Sequence, residues 1–286
     1  MHAPPILRLS IFILPLLLAP VALAHQAANP PLPDIHQLMR EVHEHQKQLE
    51  KVRENYTYSS VETNQELDSK SHVIKTETKE SEVFYAHGEA IMRMVKKDGK
   101  PLSDSDQQKE TERVTKAVEK AEKSKPDQPK EGQELSLGRI LEVADVRNPR
   151  RESYRGRSAI AFDFVGRKGQ KSHGLNEDLS KKLQGTVWID EADRQVAHLD
   201  VVFNDSFRLA GGLVVSIDKG TDFHFDQALV NNELWLPTGA EVNMRARLLL
   251  VKGIHQHSLV HFYDYKRFRV ETQQGKDAKA VIENKQ

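Results

Sequence analysis

The stretch Leu213-Val-Val-Ser-Ile-Asp-Lys-Gly-Thr-Asp-Phe-His-Phe225 decides how the rest of the chain is read. Along an extended backbone, Leu213, Val215, Ile217, Thr221, Phe223 and Phe225 fall on one face, against Ser216, Asp218, Asp222, His224 and Asp226 on the other. A period of two marks a strand with one buried face. The same alternation recurs through residues 185–268, one run after another between polar turns. That pattern predicts a large antiparallel sheet with one apolar face, which something must cover. Whether the cover is a permanent core or a removable ligand is the functional question.

Runs on either side extend the sheet. Gly-Thr-Val-Trp-Ile-Asp at 185–190 turns at 191–193 and returns through 196–203 as a hairpin, and residues 241–251 and 254–268 supply the last strands. Upstream, residues 152–166 place Ile160, Phe162 and Phe164 on one face, followed by a short helix near 177–183. Residues 56–97 read as three strands punctuated by Asp68-Ser69-Lys70, His87-Gly88 and Asp98-Gly99. The second of these, 71–85, is polar until Val83, as an edge strand or one wet on both faces would be. The expectation is an α+β fold, a curved antiparallel half-barrel of about ten strands with helices on its concave side.

Two helices stand out. Asp34 is placed to cap a helix carrying Ile35, Leu38, Met39, Val42, Leu49 and Val52 at helical spacing, with Arg40, Glu41, Glu44, Lys47 and Lys51 on the other side, so it should lie across the sheet. Residues 102–125 differ, with Ser103 or Asp104 as cap and only Val114, Ala117, Val118 and Ala121 as an apolar stripe, which predicts a long solvated helix. A flexible linker at 124–134 and a short packed helix within 135–146 follow, and such helical insertions between strands could serve as a lid.

Residues 1–24 read as a secretory signal, with Arg8 before an apolar run and Ala22-Leu23-Ala24 for cleavage after Ala24. The run is short and broken by Pro15 and Pro20, which disfavours a retained span. Residues 25–33 form a Pro-rich lead-in, 34–270 the domain with its charged insertion at 102–134, and 271–286 a disordered tail. With no cysteine, disulfides are excluded, and the expected location is periplasmic. Removing the signal takes Arg8 and no acid, leaving 41 basic and 42 acidic side chains, a balance that argues against nucleic acid as a partner.

The hairpin motif at 185–190, the Leu-Trp-Leu-Pro-Thr run at 234–238 and the leading amphipathic helix together resemble the outer-membrane lipoprotein-sorting (LolA/LolB-like) superfamily. The resemblance covers most of the chain after its leader. It implies a half-barrel wrapped around helices, with an apolar cavity that in the carriers receives lipoprotein acyl chains. Related folds also serve as envelope-stress sensors for lipidated or misfolded proteins. No residue here matches the arginine with which the carrier closes its lid, and the charged helix interrupts the family's sheet, so the chain looks like an exported member other than the dedicated carrier. The resemblance thus implies a noncatalytic binder of a lipid or lipoprotein acyl chain, with peripheral membrane contact. The alternative is an envelope protein-protein interaction module with a filled half-barrel. Leu38, Met39, Val42, Phe162, Phe164, Phe223 and Phe225 are the lining candidates, and the same positions would serve to pack the helices.

Other constellations carry less. His255, His257 and His261 share a strand face and could ligate zinc or copper, but no cysteine or carboxylate cluster accompanies them in sequence, so a wet sheet face is the preferred reading and no metal or cofactor is expected. A cleaved chain would begin at His25, in a context without preorganisation for copper. Asp218, Asp222, His224 and Asp226 alternate as a solvent-facing surface does, and no nucleophile elbow, phosphate loop or His-Glu-x-x-His motif supports an enzyme.

Overall fold

In the computed structural model the first helix opens at Asp34, whose Oδ1 accepts the Gln37 N–H at 2.8 Å while its carbonyl accepts that of Leu38 at 2.9 Å. The cap satisfies a backbone donor that the first turn leaves unpaired. The structure describes residues 30–123, 140–141, 143–167, 169, 174–212, 214–249, 252–271 and 279–283. The expected signal, His25, the linker at 124–134 and Leu213 lie outside these residues. Two units divide the chain, Met1–Pro31 and Leu32–Gln286, and the sheet lies wholly in the second.

In chain order the elements are α1 (Ile35–Arg53), β1 (Tyr56–Leu67), β2 (Val73–Ala86), β3 (Glu89–Lys97), β4 (Lys100–Pro101), α2 (Asp104–Lys123), β5 (Ala144–Tyr154) and β6 (Arg157–Gly166). They continue with α3 (Leu175–Ser180), β7 (Leu183–Asp190), β8 (Val196–Phe203), β9 (Phe207–Leu209), β10 (Val215–Ile217), β11 (Asp222–Val230), β12 (Leu234–Leu248), β13 (Lys252–Glu271) and β14 (Lys279–Glu283). Every pairing is antiparallel, in the order β4-β3-β2-β1-β13-β12-β11-β8-β7-β6-β5, with β10 and β9 beside β12 and β14 beside β13. The fold is therefore an α+β curved sheet not closed into a barrel. Its ten long strands match the expected number, and β4, β9, β10 and β14 are short additions.

Register explains where the structure departs from the sequence reading. The run at 213–225 is interrupted: Ile217 pairs with Ala246 and Asp222 with Asn243, so residues 218–221 stand opposite two partners. The insertion turns through Lys219-Gly220, where Gly220 has φ 86°, and Thr221 Oγ1 stitches it to the backbone of Arg245. An even number of extra residues leaves the faces unchanged, so Ile217 and Phe223 remain on one side. Of the helix expected within 135–146, Ile140 and Leu141 are helical and buried, residues 135–139 lie outside the described residues, and from Ala144 the chain is β5, an edge strand with a bulge at Asn148 (φ 50°) and Pro149. Proline is tolerated there because an edge has no partner awaiting its N–H. β2 is an edge only over 73–78; from Lys79 onward it is covered by β3. Within the tail expected to be disordered, Lys279–Glu283 pairs with Arg267–Glu271 of β13, on the edge that β12 leaves free beyond His261.

α2 binds the sheet edge rather than lying over the apolar face. Ser103 Oγ accepts the Asp106 N–H at 3.2 Å as its cap, and Glu110, buried at 8% exposure, accepts the Met94 N–H of β3 at 2.7 Å. Arg113 donates to the Met92 carbonyl and pairs with Glu110 at 2.7 Å. A carboxylate and a guanidinium thus replace a missing neighbouring strand, satisfying an acceptor and a donor that would otherwise stay open to another chain. α2 is therefore not placed as a lid, and the linker of the insertion at 124–134 lies outside the described residues.

The apolar face is covered by α1. Ile35, Leu38 and Val42 bury with Ile140, Leu141, Ile160, Phe162, Phe164, Leu183, Val187 and Ile189, while Leu49 and Val52 at the other end pack on Tyr56, Tyr58, Val83, Leu234, Leu236 and Phe262. The helix is tied down by polar contacts to the β7–β8 turn: His45 Nδ1 meets the Asp193 carbonyl oxygen at 2.7 Å and Arg194 pairs with Glu41 at 3.0 Å. That turn is organised by Asp190, which accepts the N–H groups of Ala192 and Asp193 and pairs with Arg157 at 2.5 Å. Phe164 lies over Gly185, where an added Cβ would sit 2.9 Å from the ring and 1.9 Å from the Asp200 carbonyl. The glycine of the 185–190 motif is there because only its bare backbone admits the ring. Two substitutions test this packing. Gly185→Ala should destabilise by about 1–3 kcal/mol through overpacking. Leu38→Ala should lose about 2–5 kcal/mol through the cavity it leaves. Both are read from chemical denaturation midpoints at unchanged slope.

Candidate apolar-ligand site

The lining candidates separate into two groups. Leu38, Phe162 and Phe164 have no exposed surface and Val42 has 2%, so these four are core beneath α1 in this conformation. Met39 is partly buried at the edge of the same cluster. Phe223 and Phe225, on β11, are only partly buried, and their rings stack at 6.2 Å and 14°. Phe223 packs against the cluster that α1 covers, which fixes the face they share.

Register continues that face into a strip. Phe225 lies opposite Ala240, which lies opposite Val260; Phe223 lies opposite Val242; and Met244, Ala246 and Ile254 follow on the same side. Phe223, Phe225, Val242, Met244, Val260 and Ile254 are all partly buried. Beside them the face turns polar, where Gln256 donates to Asn64 at 2.8 Å and to Ser258 at 2.9 Å, with Glu62, Glu77 and Lys79 beyond. An apolar strip bordered by amide and hydroxyl groups suits an amphipathic molecule, its chain on the phenylalanines and its head at the polar border. Sequence alternation located Phe223 and Phe225; Val242, Met244, Val260 and Ile254 were visible only as further apolar strand positions, and the polar border needed register to be seen.

The opposite face carries a ladder of carboxylates and imidazoles. His198 Nδ1 contacts Asp226 and its Nε2 contacts Asp200, each at 2.9 Å; His224 Nδ1 contacts Asp200 at 2.5 Å and its Nε2 contacts Asp222 at 3.1 Å. Tyr154 donates to Asp226 and stacks on His198 at 5.1 Å. Burial alone would lower the His224 pKa, but its hydrogen bonds and charge interactions with Asp200 and Asp222 win, and the pKa is raised. Burial and the neighbouring Asp226 likewise push the Tyr154 hydroxyl up. His255, His257 and His261 do not converge. His255 meets the Asp68 carbonyl oxygen at 2.9 Å, His257 meets Glu241 at 2.9 Å, and His261 stacks on Tyr263. No group of three or more metal-ligating side chains stands together among the described residues.

The ladder has a pH signature. A histidine whose folded pKa is raised contributes stability that is fully present below its ordinary value and is lost as pH rises through the folded pKa. The difference in Tm between the wild type and His224→Gln should therefore be largest near pH 6 and shrink above it. A difference that grew with pH would mean that the imidazole is held neutral.

No family model matches the chain, and no curated protein does. Among solved structures it is similar to an outer membrane lipoprotein-sorting protein domain from Vibrio parahaemolyticus, at 9% identity over 84% of this chain and 95% of that one, with a TM-score of 0.36. It is also similar to a LolA superfamily protein from Nitrosomonas europaea, at 9% identity over 81% and 94%, TM-score 0.33. A third is the MucA/MucB complex of Pseudomonas aeruginosa, matched at 10% identity over 78% of this chain and 93% of that chain, TM-score 0.24.

Proposed function

We propose that this protein is a noncatalytic binding protein of the cell envelope that holds an apolar ligand, a lipid or the acylated end of a lipoprotein, on the strip of Phe223, Phe225, Val242, Met244, Val260 and Ile254. The observation that carries the reading is the contrast on one sheet face: a core closed by α1 at Leu38, Val42, Phe162 and Phe164, and beside it an apolar strip left partly open. The mechanism is desolvation of an acyl chain, favourable by about 0.8 kcal/mol per buried methylene. α1 acts as a fixed wall, held by its contacts to the β7–β8 turn. The leader read at 1–24 and the superfamily resemblance support a periplasmic site of action. Delipidated protein should take up a fluorescent fatty acid or a lipopeptide at micromolar concentration, and Phe225→Asp should weaken uptake at least tenfold while leaving the far-ultraviolet spectrum unchanged. No uptake by the wild type would end the reading.

The second reading, an envelope protein-protein interaction module, is favoured by the completeness of the α1 core, which needs no ligand to close it. Under it, fatty-acid uptake is absent and a protein partner is retained by the intact chain.

A further inference from the structure

One end of the sheet is apolar where turns are ordinarily polar. The connection between β12 and β13 reads Leu249-Leu250-Val251, and that between β9 and β10 reads Ala210-Gly211-Gly212-Leu213-Val214. Gly, Asn, Asp and Ser dominate such positions in soluble proteins. The two connections are joined, since the Leu249 N–H donates to the Val214 carbonyl at 3.1 Å and Val215 pairs with Leu248. Leu249 is 66% exposed and Val214 43%, among the most exposed large apolar side chains described. Leu249 also has φ 48°, a left-handed conformation that disfavours leucine and suits asparagine. A strained, exposed leucine at a hairpin tip has no folding rationale.

Cations surround this tip. Arg208, Ser216 and Arg247 lie opposite one another across β9, β10 and β12, so the two guanidinium groups share a face, and Lys252 stands opposite Leu248. All three cations are exposed, and none forms an ion pair among the described residues. Elsewhere Arg93, Arg113, Arg150, Arg151 and Arg157 are each matched to a carboxylate. Exposed aliphatic side chains ringed by unmatched cations complement an anionic bilayer, whose head groups attract the cations while its acyl boundary takes up the aliphatics. Among the described residues no helix is long and apolar enough to cross a membrane.

We propose that this tip, Val214 and Leu249 with Arg208, Arg247 and Lys252, docks the protein on an anionic bilayer surface. The inference stands apart from the ligand reading, because vesicle binding is measured with the strip empty. The test is co-sedimentation of the mature protein with vesicles of equal parts phosphatidylcholine and phosphatidylglycerol, against vesicles of phosphatidylcholine alone. Wild type should bind the anionic vesicles and lose most of that binding between about 0.1 M and about 0.5 M salt. Leu249→Asp should weaken partitioning roughly tenfold, and the pair Arg208→Glu and Arg247→Glu should remove its salt-sensitive part. Leu249→Asn, which suits the left-handed turn, should bind as weakly as the aspartate variant while melting no lower than wild type, which separates lost contact from lost fold. Equal partitioning of wild type and variants overturns the proposal. So does absence of vesicle binding together with a Leu249-dependent dimer in sedimentation velocity, which would assign the tip to a second copy of the chain.

Discussion

Everything in this protein depends on one burial: the face of α1 that carries Ile35, Leu38 and Val42 closing over Ile160, Phe162 and Phe164 of β6 and their neighbours on β7 and β8. In a sheet of ten long strands without disulfides, α1 together with Ile140 and Leu141 covers the apolar side, and apolar burial is the dominant favourable term available to it. The consequences reach outward from that contact. Gly185 is bare so that Phe164 can lie flat, Asp190 shapes the turn that holds α1, and Glu110 and Arg113 of α2 close the sheet edge far from the core.

The same burial sets the functional question. Where α1 lies, the face is filled, with Leu38, Phe162 and Phe164 at zero exposure, and a ligand there would have to displace a helix held by packing and by the Glu41–Arg194 and His45–Asp193 contacts. Toward β11, β12 and β13 the apolar face continues with partial exposure and ends against Asn64, Gln256 and Ser258. An account of ligand binding that leaves α1 in place needs no stored energy and no large motion, and it puts Phe223 and Phe225 at the centre.

Much of the fold was legible because its signals are local. Asp34 before a helical stripe, His87-Gly88 and Asp98-Gly99 between strands, and the alternation of Phe162 with Phe164 each state a backbone preference within a few residues. What the sequence hid depends on partners far along the chain. The bulge at 218–221 is invisible until Arg245 is seen to stitch it, and β5 is hidden because its start falls in the stretch read as a helix and Asn148-Pro149 breaks its pattern at an edge that tolerates the break. The placement of α2 is hidden for the same reason, since nothing in Glu110 or Arg113 announces that Met92 and Met94 lie beside them. Of the candidate site, alternation named the apolar residues but could not sort core from open strip, which is decided by how far α1 reaches.

The central claim is that the strip around Phe223 and Phe225 is occupied by an apolar molecule in the cell. Native mass spectrometry of the mature protein, purified from the envelope of the cells that make it and compared before and after mild organic extraction, tests that claim most directly. The account requires a discrete additional mass that extraction releases as a lipid. A protein that flies unliganded under gentle conditions, with the same mass before and after extraction, would contradict it.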